Sequence, residues 1–116
     1  MRKLKGRALG IDQGDEQLFS DFENGGDMWT GTGPRERRKH IAFSESFLAP
    51  PVVQVALSLW DISNGSNIRA DVSADKVQTD GFDLVFRTWQ DSKVARVRMN
   101  WIAFGEVDDE DQWDVE

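Results

Sequence analysis

The chain has 116 residues, 39% of them hydrophobic, with five Trp, seven Phe and no Cys. That length holds one hydrophobic core and one domain, and the missing cysteines exclude disulfide scaffolds, thiolate metal sites and cysteine nucleophiles together. The formal charge of −7 is concentrated at one end, because seven acids and no base lie between Glu106 and Glu116, while the rest of the chain balances 14 acids with 14 bases; a neutral body excludes general nucleic-acid binding, which needs an uncompensated basic surface.

The N-terminus (Met1-Arg2-Lys3-Leu4-Lys5-Gly6-Arg7) is basic but has no apolar segment behind it, so no secretory signal is expected. No apolar run is long enough to insert in a membrane. The absence of cysteine suits synthesis in a reducing cytosol and leaves the final compartment open between the cytoplasm, a phage-like particle and a cell-surface assembly. The composition divides the chain into a domain over residues 1–107 and an acidic, solvated tail over 108–116. The tail's only apolar residues are Trp113 and Val115, too few to offset chain ordering, so it is expected to be dispensable for folding.

In chain order, Ala8–Asp12 reads as a first strand. Gln13–Pro34 is polar and glycine-rich (Asn24-Gly25-Gly26-Asp27, Thr30-Gly31-Thr32-Gly33) and reads as a long loop. A short strand follows at Ile41-Ala42-Phe43, and Pro50-Pro51 mark the entry to a longer one. From Val52 to Trp60, Val53, Val55, Leu57 and Leu59 alternate with Gln54, Ala56 and Ser58, the period-two signature of a half-buried strand. The same alternation runs through Ile68, Ala70, Val72 and Ala74, then Phe82, Leu84 and Phe86, then Val97, Met99, Trp101 and Ala103, with Ile102 and Phe104 making the last strand apolar on both faces. Asn64-Gly65, Asp80-Gly81 and Asp91-Ser92-Lys93 punctuate these runs as hairpin turns. Six strands with little helix predict an all-β, six-stranded antiparallel β-sandwich.

Two side chains oppose the core parity. Trp89 follows Asp83, Val85 and Arg87 rather than Phe82, Leu84 and Phe86, and Arg69 opposes Ile68 and Ala70. An outward indole beside amide, carboxylate and guanidinium groups suits a sugar, whose apolar ring face stacks on the aromatic while its hydroxyls meet fixed donors and acceptors. The same parity also fits a Trp that covers a sheet edge or an interface between protomers, with Arg69 paired to a nearby acid. His40, the single histidine, has no partner His or Cys, so no metal site of that kind is expected. Asp61–Asn67 lacks the glycine phase and closing Glu of a calcium loop. Thr30-Gly31-Thr32-Gly33 lacks the Lys-Ser/Thr of a phosphate loop. The cluster Arg35, Arg37, Arg38, Lys39 is broken by Glu36. No carboxylate pair sits in an apolar segment that would raise a pKa for acid catalysis, so neither an enzyme nor a cofactor is expected.

From His40 onward the chain resembles the H-type lectin domain, the family of snail agglutinins and of the C-terminal domain of discoidins. The resemblance runs through His40-Ile41-Ala42-Phe43-Ser44, then Phe47 to Val52-Val53 across the double proline, then Asn67-Ile68-Arg69. It continues in Thr79-Asp80-Gly81-Phe82, Thr88-Trp89 and Asn100-Trp101-Ile102-Ala103, and Ile11-Asp12 with Gly14-Asp15 extends it toward the N-terminus. It implies a six-stranded sandwich that assembles as a homotrimer, or a higher oligomer built from it, and binds galactose- or N-acetylgalactosamine-type glycans without a metal. Carried onto this chain, it places the sugar at Arg69 and Trp89 with Asn67 alongside. Gln90 stands where a snail lectin has a sugar-contacting histidine. It also implies that a neighbouring protomer's glycine-rich loop completes the site, with Asp27 as the carboxylate and Thr30, Gly31 and Thr32 nearby. The lack of cysteine departs from the secreted snail lectins and suggests a bacterial or phage-associated version. The alternative is a structural trimeric module, a knob on a phage fibre or particle, that keeps the fold without the sugar.

Overall fold

The computed structural model describes residues 1–6 and 8–108. Nearly all of the acidic segment, including Trp113 and Val115, lies outside the described residues. Six strands form in order: β1 (Ala8–Ser20), β2 (Arg35–Ala42), β3 (Val52–Ile62), β4 (Asp71–Asp75), β5 (Gly81–Thr88) and β6 (Val94–Val107), with one helical turn, α1 (Asp27–Thr30), between β1 and β2. They make two antiparallel three-stranded sheets, β1-β6-β3 and β2-β5-β4, which is the predicted sandwich. Among the described residues no helix is long and apolar enough to cross a membrane.

The core is built by the alternation expected of half-buried strands. Phe82, Leu84 and Phe86 of β5 and Val97, Met99 and Ala103 of β6 are fully buried. At one end of the sandwich Phe43 stacks on Phe82 at 5.6 Å, and Phe82 meets Trp101 edge-on at 5.3 Å; at the other, Phe19 meets Phe86 edge-on at 5.5 Å.

β1 overturns one expectation. It runs 13 residues to Ser20, so the first third of the presumed loop is strand. Its pattern is inverted: the half-buried side carries Gly10, Asp12, Gly14 and Glu16, while Leu9 and Ile11 face outward. Gly14 has a specific reason to be glycine. It pairs with Trp101, and a Cβ there would lie 2.6 Å from the indole Nε1, so only a bare Cα leaves room for the ring.

β2 is also longer than Ile41–Phe43. Arg35, Arg37, Lys39 and Ile41 share one face, while Glu36, Arg38 and His40 take the other. The guanidinium of Arg37 sits 5.5 Å over the Phe19 ring, and Lys39 Nζ reaches Glu16 at 2.9 Å. In β3 a bulge at Ser58 moves the register so that Leu57 pairs with Met99 but Leu59 pairs with Arg98. Val53, Val55, Leu57 and Ile62 therefore pack on the core, and Leu59 drops out of the expected inward set.

The turns are corrected as well. Lys76–Asp80 joins β4 to β5 within one sheet and is a true hairpin. The Asn64-Gly65 and Asp91-Ser92-Lys93 segments are not hairpin turns. Each carries the chain from one sheet to the other, from β3 to β4 and from β5 to β6. Both corners lie at the same end of the sandwich, and that shared location assembles the site.

Candidate functional site

The first corner leaves β3 at Ile62 and does not resume pairing until Asp71, so Ile68 and Ala70 lie before β4 rather than within it. What replaces the ladder is Ser92, which is fully buried. Its Oγ accepts from the Arg69 N–H at 2.8 Å and lies 3.1 Å from the carbonyls of both Asn67 and Trp89. One hydroxyl proton serves one of those carbonyls at a time. The Thr88 hydroxyl donates to the Arg69 carbonyl. The backbone of Arg69 is thus held at both its N–H and its C=O by the second corner.

Arg35 fixes that second corner in turn. It is buried and spends its guanidinium on five backbone carbonyls: Nε on Gly33 at 2.9 Å, Nη1 on Asp27, Met28 and Ser92 at 3.1, 3.3 and 3.0 Å, and Nη2 on Gln90 at 3.1 Å. The Gly33 N–H adds a bond to the Gln90 carbonyl at 2.9 Å. Gln90 itself has φ 58°, the left-handed region in which a non-glycine residue costs energy and is kept only where its surroundings hold it.

On this scaffold the backbones of Asn67, Arg69 and Trp89 meet at the Ser92 hydroxyl, with Gln90 next to Trp89 in the chain. Asn67 and Gln90 are exposed, and the Trp89 indole is 40% exposed. Arg69 Nη1 donates to Asp91 Oδ1 at 2.8 Å. Among the described residues this is the only side-chain partner of the guanidinium, whose side chain is 32% exposed. A cleft of about 500 Å³ opens beside Trp89, walled by Pro34, Glu36, Ala70, Asp71 and Arg87.

The glycine-rich residues are placed differently. Asp27 Oδ1 accepts from Arg37 Nη2 at 2.8 Å, and Asp21 Oδ2 accepts from the same nitrogen at 2.9 Å and from the Met28 N–H at 3.0 Å. The Thr30 hydroxyl turns back to the carbonyls of Gly25 and Gly26, each at 3.0 Å, and the Gly31 N–H caps Asp27 at 2.8 Å. Thr32 is exposed. None of Asp27, Thr30, Gly31 and Thr32 lines the cleft beside Trp89; Asp27 is tied to its wall through its carbonyl and Arg35.

Sequence reasoning missed Arg35, Thr88 and Ser92. Arg35 sat inside an apparent basic cluster, and the structure dissolves that cluster into internal contacts. Arg37 goes to Asp21 and Asp27, Arg38 to Glu36, Asp75 and Asp83, and Lys39 to Glu16. Period two within Arg35–His40 was the available signal, hidden because residues of like charge occupy both faces.

A model of the H-type lectin domain matches residues 38–104, more than half of the chain. The chain belongs to the H-type lectin domain family. It is 47% identical over 111 residues to a protein named ATP synthase subunits region ORF 7 from Fuscovulum blasticum, covering 96% of each. Over 75 residues it is also 35% identical to one of the discoidin-1 chains and 29% identical to discoidin-2, both from Dictyostelium discoideum. These matches cover 64% of this H-type lectin domain but only 30% and 29% of the respective discoidins. The solved structure of recombinant discoidin II from the same organism superposes with a TM-score of 0.73 at 23% identity, over 93% of this chain and 41% of that one. The fold is therefore shared with one part of the discoidins.

Proposed function

We propose that this domain is a carbohydrate-binding lectin module that recognises galactose- or N-acetylgalactosamine-type glycans as part of a trimer. The observation that carries the reading is the placement of a half-exposed indole, Trp89, beside Arg69, whose backbone is held at both its N–H and its C=O before any ligand arrives and whose guanidinium pairs with Asp91. Preorganisation of this kind removes ordering cost from binding. Trp89 supplies the apolar platform, Arg69 donates charge-assisted bonds to hydroxyls, and Asn67 and Gln90 offer amides at the rim. Asp27 and the segment Thr30-Gly31-Thr32 act across the protomer boundary, where Asp27, 62% exposed, keeps a carboxylate oxygen free of Arg37. Glu36 in the cleft wall is held below its usual pKa by Arg38, the wrong direction for a proton donor at neutral pH, which supports a binding role for this site.

Trp89→Ala tests this. It should abolish binding to methyl galactoside or methyl N-acetylgalactosaminide in calorimetry while melting temperature and oligomeric state stay unchanged, because Trp89 lies beyond the end of β5 and outside the core. Arg69→Ala should cost about 1.5–3 kcal/mol per lost charge-assisted bond, one to two decades in affinity. One observation favours the second reading, a structural trimeric knob: the outer face of β1-β6-β3 exposes Leu9, Ile11 and Ile102, which serves assembly with or without a sugar. Wild type that binds no glycan yet sediments as a trimer would decide for the knob.

A further inference from the structure

The cleft beside Trp89 is distinct in its lining from the Arg69 corner. Pro34, Ala70 and Trp89 give it apolar walls, and Glu36, Asp71 and Arg87 give it a polar rim, whereas Arg69 is not part of it. Trp89 is thus shared between two adjoining surfaces. The volume of about 500 Å³ falls within the roughly 300–1,000 Å³ typical of ligand clefts. The rim is already organised. Arg87 Nε donates to Glu36 Oε1 at 2.9 Å, Arg87 Nη1 lies 3.7 Å from Asp71 Oδ2 and 3.4 Å from Ser73 Oγ, and the other Glu36 oxygen accepts from Arg38 Nε at 2.8 Å.

Charge balance decides what this rim can hold. The lining carries two cations, Arg35 and Arg87, and two carboxylates, Glu36 and Asp71. Arg35 is committed to backbone carbonyls, and Arg87 is bridged on both sides by acids. No surplus positive charge is left for a sialic or uronic acid, which would meet two carboxylates at close range. Paired carboxylate and guanidinium groups, however, present fixed acceptors and donors side by side, the complement of neighbouring hydroxyls on a neutral pyranose.

We propose that this cleft is a second sugar subsite, which takes the next neutral pyranose of a glycan whose terminal residue sits at Arg69 and Trp89. The inference rests on the lectin reading and makes the ligand an uncharged oligosaccharide rather than a monosaccharide. The test is a glycan array followed by calorimetry on the full chain. The probes are methyl galactoside, methyl N-acetylgalactosaminide, neutral di- and trisaccharides that end in those residues, and sialylated counterparts. Wild type should bind a neutral oligosaccharide about tenfold or more tighter than the matching methyl glycoside. Arg87→Ala should erase that increment while monosaccharide affinity persists, and Glu36→Gln, which keeps the shape, should reduce it. Equal affinity for mono- and oligosaccharides overturns the subsite, as does a gain confined to sialylated ligands, or an Arg87→Ala variant that keeps the increment. Wild type that binds no member of the set removes the lectin reading itself, an outcome separate from all three.

Discussion

The two sheets of this sandwich differ in how much apolar surface they turn to the outside. On β2-β5-β4, Arg38 reaches across to Glu36, Asp75 and Asp83 at 2.8, 2.7 and 3.1 Å, Arg87 bridges Glu36 and Asp71, and His40 Nδ1 meets Asp83 at 2.9 Å. This net lies over Val85, which pairs with Arg38 and Ser73 away from the core and is nonetheless fully buried. On β1-β6-β3, Ile11, Phe104 and Val52 form one row across all three strands, and Leu9, Ile11 and Ile102 are 57%, 64% and 37% exposed. The first face satisfies itself with charge and stays in water. The second pairs charge at one end, Arg98 with Asp15 and Arg96 with Asp61, and at the other exposes an apolar row, the kind of surface that marks association sites. The difference teaches that the candidate site and the proposed assembly surface are separable: Trp89 adjoins the charged face, and the self-association we propose uses the apolar one.

The largest effect should come from placing charge in the apolar row. Ile11→Asp removes a side chain whose burial is worth about 1.5–3 kcal/mol and repeats the loss in every copy around a closed ring. It should convert the proposed trimer to monomer at micromolar concentration in sedimentation, with the fold intact, because Ile11 does not touch the core. Wild type that sediments only as monomer would break the comparison at its base.

A smaller effect is expected on the charged face. Arg38→Ala leaves Glu36, Asp75 and Asp83 without their common cation and uncovers Val85, so melting temperature should fall by roughly 5 °C with no change in oligomeric state. High salt should narrow the gap between variant and wild type, since screening weakens the net the variant lacks. A change of oligomeric state in Arg38→Ala would mean that both faces take part in assembly.

Much of this was legible beforehand, for reasons that differ by element. β5 and β6 announced themselves because their buried sides are apolar without interruption, Phe82-Leu84-Phe86 and Val97-Met99-Trp101-Ala103. β1 and β2 did not, because the inward positions of β1 hold glycine and acids and those of β2 hold Arg35, Arg37 and Lys39, so period two was present without a hydrophobic contrast. Arg69 and Trp89 were proposed from parity and from family resemblance, and they stay a proposal. The residues that hold them, Arg35, Thr88 and Ser92, act through backbone carbonyls and N–H groups across the two corners. Nothing in a linear sequence marks a serine as the staple between segments 23 residues apart. The corners were misread as hairpins because a turn dipeptide signals reversal but does not say whether the next strand returns to the same sheet.

The smallest effect is a pH dependence confined to the charged face. Asp83 is held below the ordinary carboxylate range, first by its hydrogen bond to His40 and then by Arg38; Arg38 does the same for Asp75 and Glu36. A carboxylate with a depressed folded pKa contributes stability that is complete above its unfolded value, about 4, and that disappears as pH falls through the folded value. Melting temperature should therefore show no loss from these groups between about pH 5 and 8 and should decline below about pH 4. His40→Ala removes the leading cause at Asp83 and should make that acid decline shallower while Arg38 still holds Asp75 and Glu36. The row Ile11, Phe104 and Val52 has no titratable member, so the same substitution should leave the dissociation midpoint of the proposed trimer unmoved. A His40→Ala variant whose acid decline matches wild type would show that Arg38 alone sustains the net, and the comparison would then rest on one cation rather than on the whole charged face.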